Sequence, residues 1–134
     1  MERKLEVGVK AVIKNEQGEY LVLKRSKPYP GLTEPMWDIP GGRINPGETL
    51  SEALAREIRE ETGMALAGEP KVIFAQDILR VEDKHTVRLT YIAEATGEIV
   101  LDPIEHTDHQ WVNLTGLKEL YHDKYLDPVL AILN

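Results

Sequence analysis

The sequence predicts an α/β protein in which a sheet is sandwiched between helices, and three observations carry that reading. The chain opens with strand-like alternation, Leu5, Val7, Val9 and Ala11 against Glu6, Gly8 and Lys10. A helical segment with recognisable ends occupies the middle, between Thr49 and Gly63. Strand patterns precede and follow that segment, and a second helix start stands near the C-terminus at Asp127-Pro128. Sheet faces and helix stripes that are apolar must be buried against one another, which layers the two kinds of element.

Taken in order, the first strand continues through Val12-Ile13, Asn15-Glu16-Gln17-Gly18 supplies a turn, and Tyr20-Leu21-Val22-Leu23 is the returning strand. From Ser26 to Pro35 the chain holds Pro28, Pro30, Pro35 and Gly31, so this stretch is a loop, of a length that tends to carry function. Trp37 to Ile39 and Arg43-Ile44 read as short strands flanking Gly41-Gly42, where a tight loop lets backbone approach a ligand closely. Pro46-Gly47 makes a second turn. Thr49 reads as the helix N-cap, with Glu52 three residues on completing a capping box. Gly63 supplies the left-handed residue that ends the helix. Lys71 to Arg80 and Thr86 to Ala95 form a hairpin turning at Glu82-Asp83-Lys84, and His109 to Asn113 gives the last strand. Thr115 caps a short helical turn through Tyr121, and Asp127 with Pro128 opens the final helix as N-cap and first helical residue.

No repeat, low-complexity tract or linker divides the 134 residues, so 1–134 is expected to be one domain. The absence of cysteine excludes disulfides, zinc–thiolate sites and a cysteine nucleophile. Met1-Glu2-Arg3-Lys4 has no apolar signal core, and no apolar run approaches bilayer length. A cytoplasmic location with no membrane partner is the resulting expectation. Lys and Arg number 16 against 23 Asp and Glu, a formal charge of −7, and no basic stripe is present. A long nucleic acid is therefore not expected as a partner. A small anionic substrate remains compatible where metal ions mask the local charge.

The central helix carries an anomaly. Stepping ~100° per residue puts Leu50 at ~0°, Leu54 at ~40° and Ile58 at ~80°, while Glu57 falls at ~−20°, Glu61 at ~20° and Glu60 at ~−80°. A Glu run on a helix is ordinarily a solvated face, and Arg56 can offset part of the charge through Glu60 four residues on. This run overlaps the leucines instead. Carboxylates so crowded in a half-buried place cannot all stay ionised without a cation among them. A divalent metal is the economical explanation, and oxygen donors of this kind suit Mg2+ or Mn2+.

From Gly42 to Met64 the residues fit G-x5-E-x7-R-E-U-x-E-E-x-G-U, with U a bulky apolar residue: Gly42, Glu48, Arg56, Glu57, Ile58, Glu60, Glu61, Gly63 and Met64. This resembles a complete Nudix box, the signature of hydrolases that cleave nucleoside diphosphates linked to another moiety. The resemblance extends to the order of strands and to the downstream Glu105…Trp111 segment. It implies an α/β/α sandwich with a mixed central sheet. Residue by residue, it assigns Glu57, Glu60, Glu61, the carbonyl of Gly41 and the downstream Glu105 to the metal, Mg2+ or Mn2+. Glu48 and Arg56 match positions that brace the loop against the helix. Arg25 matches a substrate-contacting Arg, Arg43 does so less closely, and Trp37 is first a core residue that can also border a base pocket. Glu57 is the first choice as general base and Glu105 the alternative. His106 and His109 read as ordinary surface or strand residues, because hard cations favour oxygen.

The implied activity is metal-dependent hydrolysis of a phosphoanhydride bond in a small nucleotide. Phe74 to Arg80 lacks the Pro and Tyr markers of the ADP-ribose and dinucleoside types, and Ser26 to Pro40 lacks the coenzyme A type's upstream motif. Nucleoside triphosphate pyrophosphatases of the MutT type are the nearest group. Where oxidised-guanine members carry an Asn, two residues before the proline of the last helix, this chain has Leu126. Hydrolysis of a nucleotide sugar or an ADP-ribose-like substrate stays open, as does a nucleotide-sensing module without catalysis, although such modules usually lack a box carboxylate. A homodimer also stays open. The EF-hand loop that would suggest a calcium protein is absent.

Overall fold

Alternation in the first strand serves two cores. In the computed structural model, which describes residues 2–29 and 31–133, β1 (Lys4–Ile13) sends Val9, Ala11 and Ile13 into one buried cluster and Val12 into another. Met1, Asn134 and Pro30, one of the prolines from which a loop is expected, lie outside the described residues. β1 is an inner strand of a four-stranded sheet ordered β4-β1-β6-β5. Its neighbours are β4 (Gly41–Arg43), antiparallel, and β6 (Lys84–Thr96), parallel in register from Lys4 opposite Lys84 to Ile13 opposite Ala93. β5 (Ala65–Ile78) completes that sheet antiparallel to β6. A second, antiparallel sheet holds β3 (Trp37–Asp38), β2 (Tyr20–Arg25) and β7 (His106–Val112), in that order.

Helices cover both sides. α1 (Leu50–Thr62) buries Ala53, Leu54 and Ile58 against Val9, Ala11, Ile13, Leu21 and Leu23. α2 (Leu114–Glu119), a 3-10 turn at Lys124–Leu126 and α3 (Asp127–Ile132) bury Leu117, Leu126, Val129 and Leu130 against Val12, Tyr20, Val22 and Ile39. The odd and even positions of β1 and β2 thus feed opposite helix layers, as a period of two requires. The α/β sandwich with mixed strand directions is the expected one.

Several local expectations change. β1 and β2 share one bridge, Lys14 to Tyr20, and then belong to different sheets, because β2 pairs with β3 and β7 instead of with β1. Gly41-Gly42 lies inside β4 and not in a loop; a Cβ on Gly41, at φ +150°, would stand 2.1 Å from the Val9 carbonyl oxygen. β5 begins at Ala65, directly after α1, and absorbs Gly68 and Pro70 where its register to β6 shifts between Ala67 and Lys71. Such breakers are tolerated because β5 is an edge strand. Asn113, not Thr115, caps α2, its Oδ1 accepting from Gly116 N at 2.7 Å. Asp127 is inside α3 behind Leu126, because the 3-10 turn, capped by Asp123, runs straight into that helix. Among the described residues no helix is long and apolar enough to cross a membrane, which says nothing of a β-barrel.

The central helix keeps its expected ends. Thr49 Oγ1 accepts from Glu52 N at 3.1 Å and Glu52 Oε1 accepts from Thr49 N at 3.0 Å. Gly63 sits at φ +76° with its N–H donated to the Arg59 carbonyl.

Candidate active site

The packing of Ala53, Leu54 and Ile58 on the sheet fixes the rotation of α1, and the rotation decides which carboxylates face inward. Glu57 is carried toward β4 with its side chain only 12% exposed, whereas Glu60, on the rim, is 57% exposed. The Glu57 carboxylate occupies the place a Gly42 side chain would fill: a Cβ there would lie 2.6 Å from Glu57 Oε2. The first box glycine is thus a seat for a carboxylate. Glu61, half-buried, accepts from the Gly41 N–H at 3.2 Å through Oε1. Burial pushes its carboxyl up to about 8, with the neighbouring Glu57 adding to the rise and Lys10 and the Gly41 N–H opposing it.

Arg56 holds the preceding loop to the helix. Its Nε and Nη2 donate to Glu48 at 2.7 and 2.9 Å, and Nη2 also donates to the Arg43 carbonyl at 2.9 Å. Nη1 donates to Glu57 at 2.8 Å and to Glu60 at 3.2 Å. The bond from Arg56, helped by the Asn45 N–H, holds the Glu48 carboxyl down to about 2. This paired fork is the geometry in which a guanidinium binds a carboxylate most specifically.

A cavity of about 520 Å³ gathers most of the residues singled out by sequence: Arg25, Gly41, Gly42, Arg43, Glu57, Glu60, Glu61 and Glu105. Glu105 is exposed on the loop before β7, and its carbonyl accepts from Ser26 N at 2.9 Å, which ties that loop to the end of β2. Arg43 Nη1 reaches Glu6 at 2.9 Å. Trp37 does not line this cavity. Its strand pairs Trp37 with Lys24, and its indole packs on the cluster beneath α2 and α3, which claims so large an apolar group. The expected metal cluster is likewise looser than the sequence suggested. Among the described residues no three His, Asp or Glu side chains stand ready-made around a metal position, and Arg56 draws an oxygen from both Glu57 and Glu60.

The cavity also contains four residues not assigned to it from sequence: Lys10, Asp38, Asp102 and His106. Lys10 Nζ donates to Asp38 Oδ2 at 3.0 Å and to the Ile39 carbonyl at 3.1 Å. Burial opposes both charges, yet their mutual attraction wins, holding Lys10 above and Asp38 below its ordinary range. The signal was faint: Lys10 is flanked by Val9, Ala11 and Val12 but continues the polar side of the alternation with Glu6, and Asp38 stands between Trp37 and Ile39. Of the two readings left open for His106, surface or strand, the structure gives the strand: it opens β7 and is 7% exposed. Burial, with Lys10 and Arg25 nearby, lowers its imidazole to about 4, and among the described residues its Nδ1 has no hydrogen-bond partner.

The donor set fits a hard divalent cation. It consists of carboxylate oxygens with no thiolate, and the half-buried Glu61 carboxyl is held up by burial that Lys10 and the Gly41 N–H offset only in part. The wall of carboxylates faces Lys10, Arg25 and Arg43, so the cavity offers both a cation site and anion-binding groups.

A family model for the NUDIX domain matches residues 4–131. The human 8-oxo-dGDP phosphatase NUDT18 is 37% identical over 94 residues, covering 69% of this chain and 26% of its own length. Nucleoside triphosphatase NudI of Escherichia coli (strain UMN026) is 33% identical over 110 residues, covering 75% of this chain and 77% of its own. The crystal structure of a MutT NUDIX hydrolase from Burkholderia pseudomallei superposes with a TM-score of 0.84 at 27% identity, covering 98% of this chain and all of that one. The chain spans 26% of the human relative and 65% of a Bacillus subtilis relative. With the box, the fold and the family model in agreement over nearly its whole length, the chain belongs to the NUDIX family.

Proposed function

We propose that residues 1–134 act as one domain, a divalent-metal-dependent hydrolase that cleaves a phosphoanhydride bond in a nucleoside triphosphate, in the manner of the MutT type, with Mg2+ or Mn2+ as cofactor. The observation that carries this reading is the meeting of Glu57, Glu60, Glu61 and Glu105 with Arg25, Arg43 and Lys10 around one cavity. Gly41, through its carbonyl, and the four glutamates would hold the metal. A bound divalent ion supplies charge neutralisation on phosphate oxygens and acidifies a water molecule. Arg25 and Arg43 orient the phosphates. Glu57, or Glu105 in its stead, accepts the proton of the attacking water. Water oxygen adds to phosphorus, the anhydride P–O bond breaks, and a nucleoside monophosphate and pyrophosphate leave. Arg56, by holding Glu48, Glu57 and the Arg43 carbonyl together, keeps the glutamate wall in register with the loop.

The base is a separate question. Leu126, at the position where oxidised-guanine members carry Asn, is 3% exposed within the α2–α3 cluster and offers no polar group. This supports an ordinary nucleotide over 8-oxoguanine. A panel of nucleoside triphosphates, oxidised nucleotides, nucleotide sugars and ADP-ribose, assayed with Mg2+ and with chelator, tests the reading. Metal-dependent release of pyrophosphate from at least one triphosphate is expected. A folded protein inert across the panel, or one that binds a nucleotide and returns it intact, would replace the hydrolase with a sensing module.

A further inference from the structure

Of the three cations at the site cavity, Lys10 is paired with Asp38 and Arg43 with Glu6. Arg25 is held differently. Its guanidinium carbon stands 3.8 Å from the centroid of the Tyr29 ring, and its Nε donates weakly to the Lys27 carbonyl at 3.4 Å. The guanidinium of Arg80, two residues past the end of β5, stands 4.4 Å from the same centroid. Both guanidinium groups are thus in contact with the one ring. Arg80 is itself paired with Asp123, which is buried and caps the 3-10 turn, and it lies 4.8 Å from the Tyr125 ring. A row therefore runs from the interior to the cavity: Asp123, Arg80, Tyr29, Arg25.

Charge along this row is not evenly compensated. Asp123 cancels Arg80, and the ring between the two arginines carries no charge. A carboxylate beside Arg25 would fix its position and also neutralise it; an aromatic face fixes it through the ring quadrupole and leaves its charge and its Nη donors available. Tyr29 comes from the proline-rich loop between β2 and β3, so the pinning by Arg80 also anchors that loop to the opposite sheet. We propose that Tyr29 is a positioning residue, pinned by Arg80, that holds Arg25 over the site cavity with its donors free for a phosphate oxygen of the substrate's diphosphate. The proposal rests on the hydrolase reading given above and adds to it how the phosphate-binding Arg is kept in place.

Kinetics on the best nucleotide and calorimetric titration of inorganic pyrophosphate with Mg2+ present provide two readouts, the second independent of turnover. Tyr29→Leu, and Tyr29→Met beside it to keep bulk without a ring, are expected to raise both KM and the pyrophosphate Kd about 3- to 30-fold. kcat should stay within about twofold, because a group that binds ground and transition states alike changes KM. Tyr29→Phe retains the ring face and should keep wild-type values. In an Arg25→Ala background, Tyr29→Leu should add nothing, since coupled residues are not additive. The proposal is overturned if Tyr29→Phe is as damaging as Tyr29→Leu, if the Tyr29→Leu effect multiplies that of Arg25→Ala, or if neither Leu nor Met changes KM or Kd. In those cases the hydrolase reading survives on the wild type's own turnover. Wild-type protein that neither hydrolyses a nucleotide nor binds pyrophosphate overturns both.

Discussion

At the scale of single residues, the site turns on how one carboxylate is seated. Glu57 lies against the bare Cα of Gly42, within hydrogen-bond reach of Arg56, and mostly out of solvent. Glu105 hangs from an exposed loop whose backbone, not its side chain, is tied down. A base that must meet water at a fixed distance from phosphorus is better served by the first arrangement. Glu57→Gln is therefore expected to cut turnover roughly 10²- to 10⁴-fold, the range for losing a general base, while nucleotide binding changes far less. Gln keeps the shape and can still accept from Arg56, so the fold should hold. Glu105→Gln is expected to have the smaller effect, because water can replace a loop ligand. Both rates are to be measured at saturating Mn2+, and a larger loss from Glu105→Gln would move the base to the loop.

At the scale of elements, α1 shows what a sequence states openly. Its caps are local chemistry: Thr49 and Glu52 bond each other's backbone, and Gly63 takes the φ +76° that other residues resist, so three residue types at fixed spacing announced both ends. Thr49→Ala should cost about 1 kcal/mol, lowering the thermal midpoint by roughly 3–5 °C. An unchanged midpoint would mean that packing against β1 and β2 alone sets where this helix begins. Elements settled by distant partners were less legible. The separation of β1 from β2 depends on which strand each finds elsewhere, β6 for one and β7 for the other, and nothing in the hairpin itself encodes that choice. The same holds for site residues. The box glutamates could be read from spacing within one helix, whereas Lys10 meets Asp38 across 28 residues of sequence, from strands in different sheets. His106 looked ordinary because its burial depends on the fold around it. Trp37 was a large apolar group with two candidate neighbours, and the helix layer claimed it.

At the scale of the whole molecule, the acidic chain concentrates two opposed titrations in one cavity, and they set how stability responds to pH without metal. Glu61 has a folded pKa raised from 4.5 to about 8. Between those values the folded protein keeps a proton the unfolded chain has lost, so its contribution to stability is full below 4.5 and is lost as pH rises through 8. His106 has a folded pKa lowered from 6.5 to about 4. Between 4 and 6.5 the unfolded chain holds the extra proton, so this contribution is present above 6.5 and is lost as pH falls through 4. The two slopes cancel between 4.5 and 6.5 and leave Glu61 alone above it. Lys10 and Asp38 do not intrude, because one is raised from 10.5 and the other lowered from 3.8. Metal-free protein should thus show a nearly level thermal midpoint from pH 4.5 to 6.5. From pH 6.5 to 8 it should lose about 2 kcal/mol, at 1.36 kcal/mol per pKa unit, a fall of roughly 6–10 °C. A divalent cation favours the ionised carboxylate and displaces its proton, so saturating Mg2+ should abolish the fall and release protons on binding near pH 7. Glu61→Gln should abolish it without metal. Thermal melts across this range, with chelator and with Mg2+, check all three expectations. A metal-free midpoint that stays level or rises between pH 6.5 and 8 would show that Glu61 is already ionised in the folded protein, with its charge met by Lys10 and the Gly41 N–H instead of by a metal.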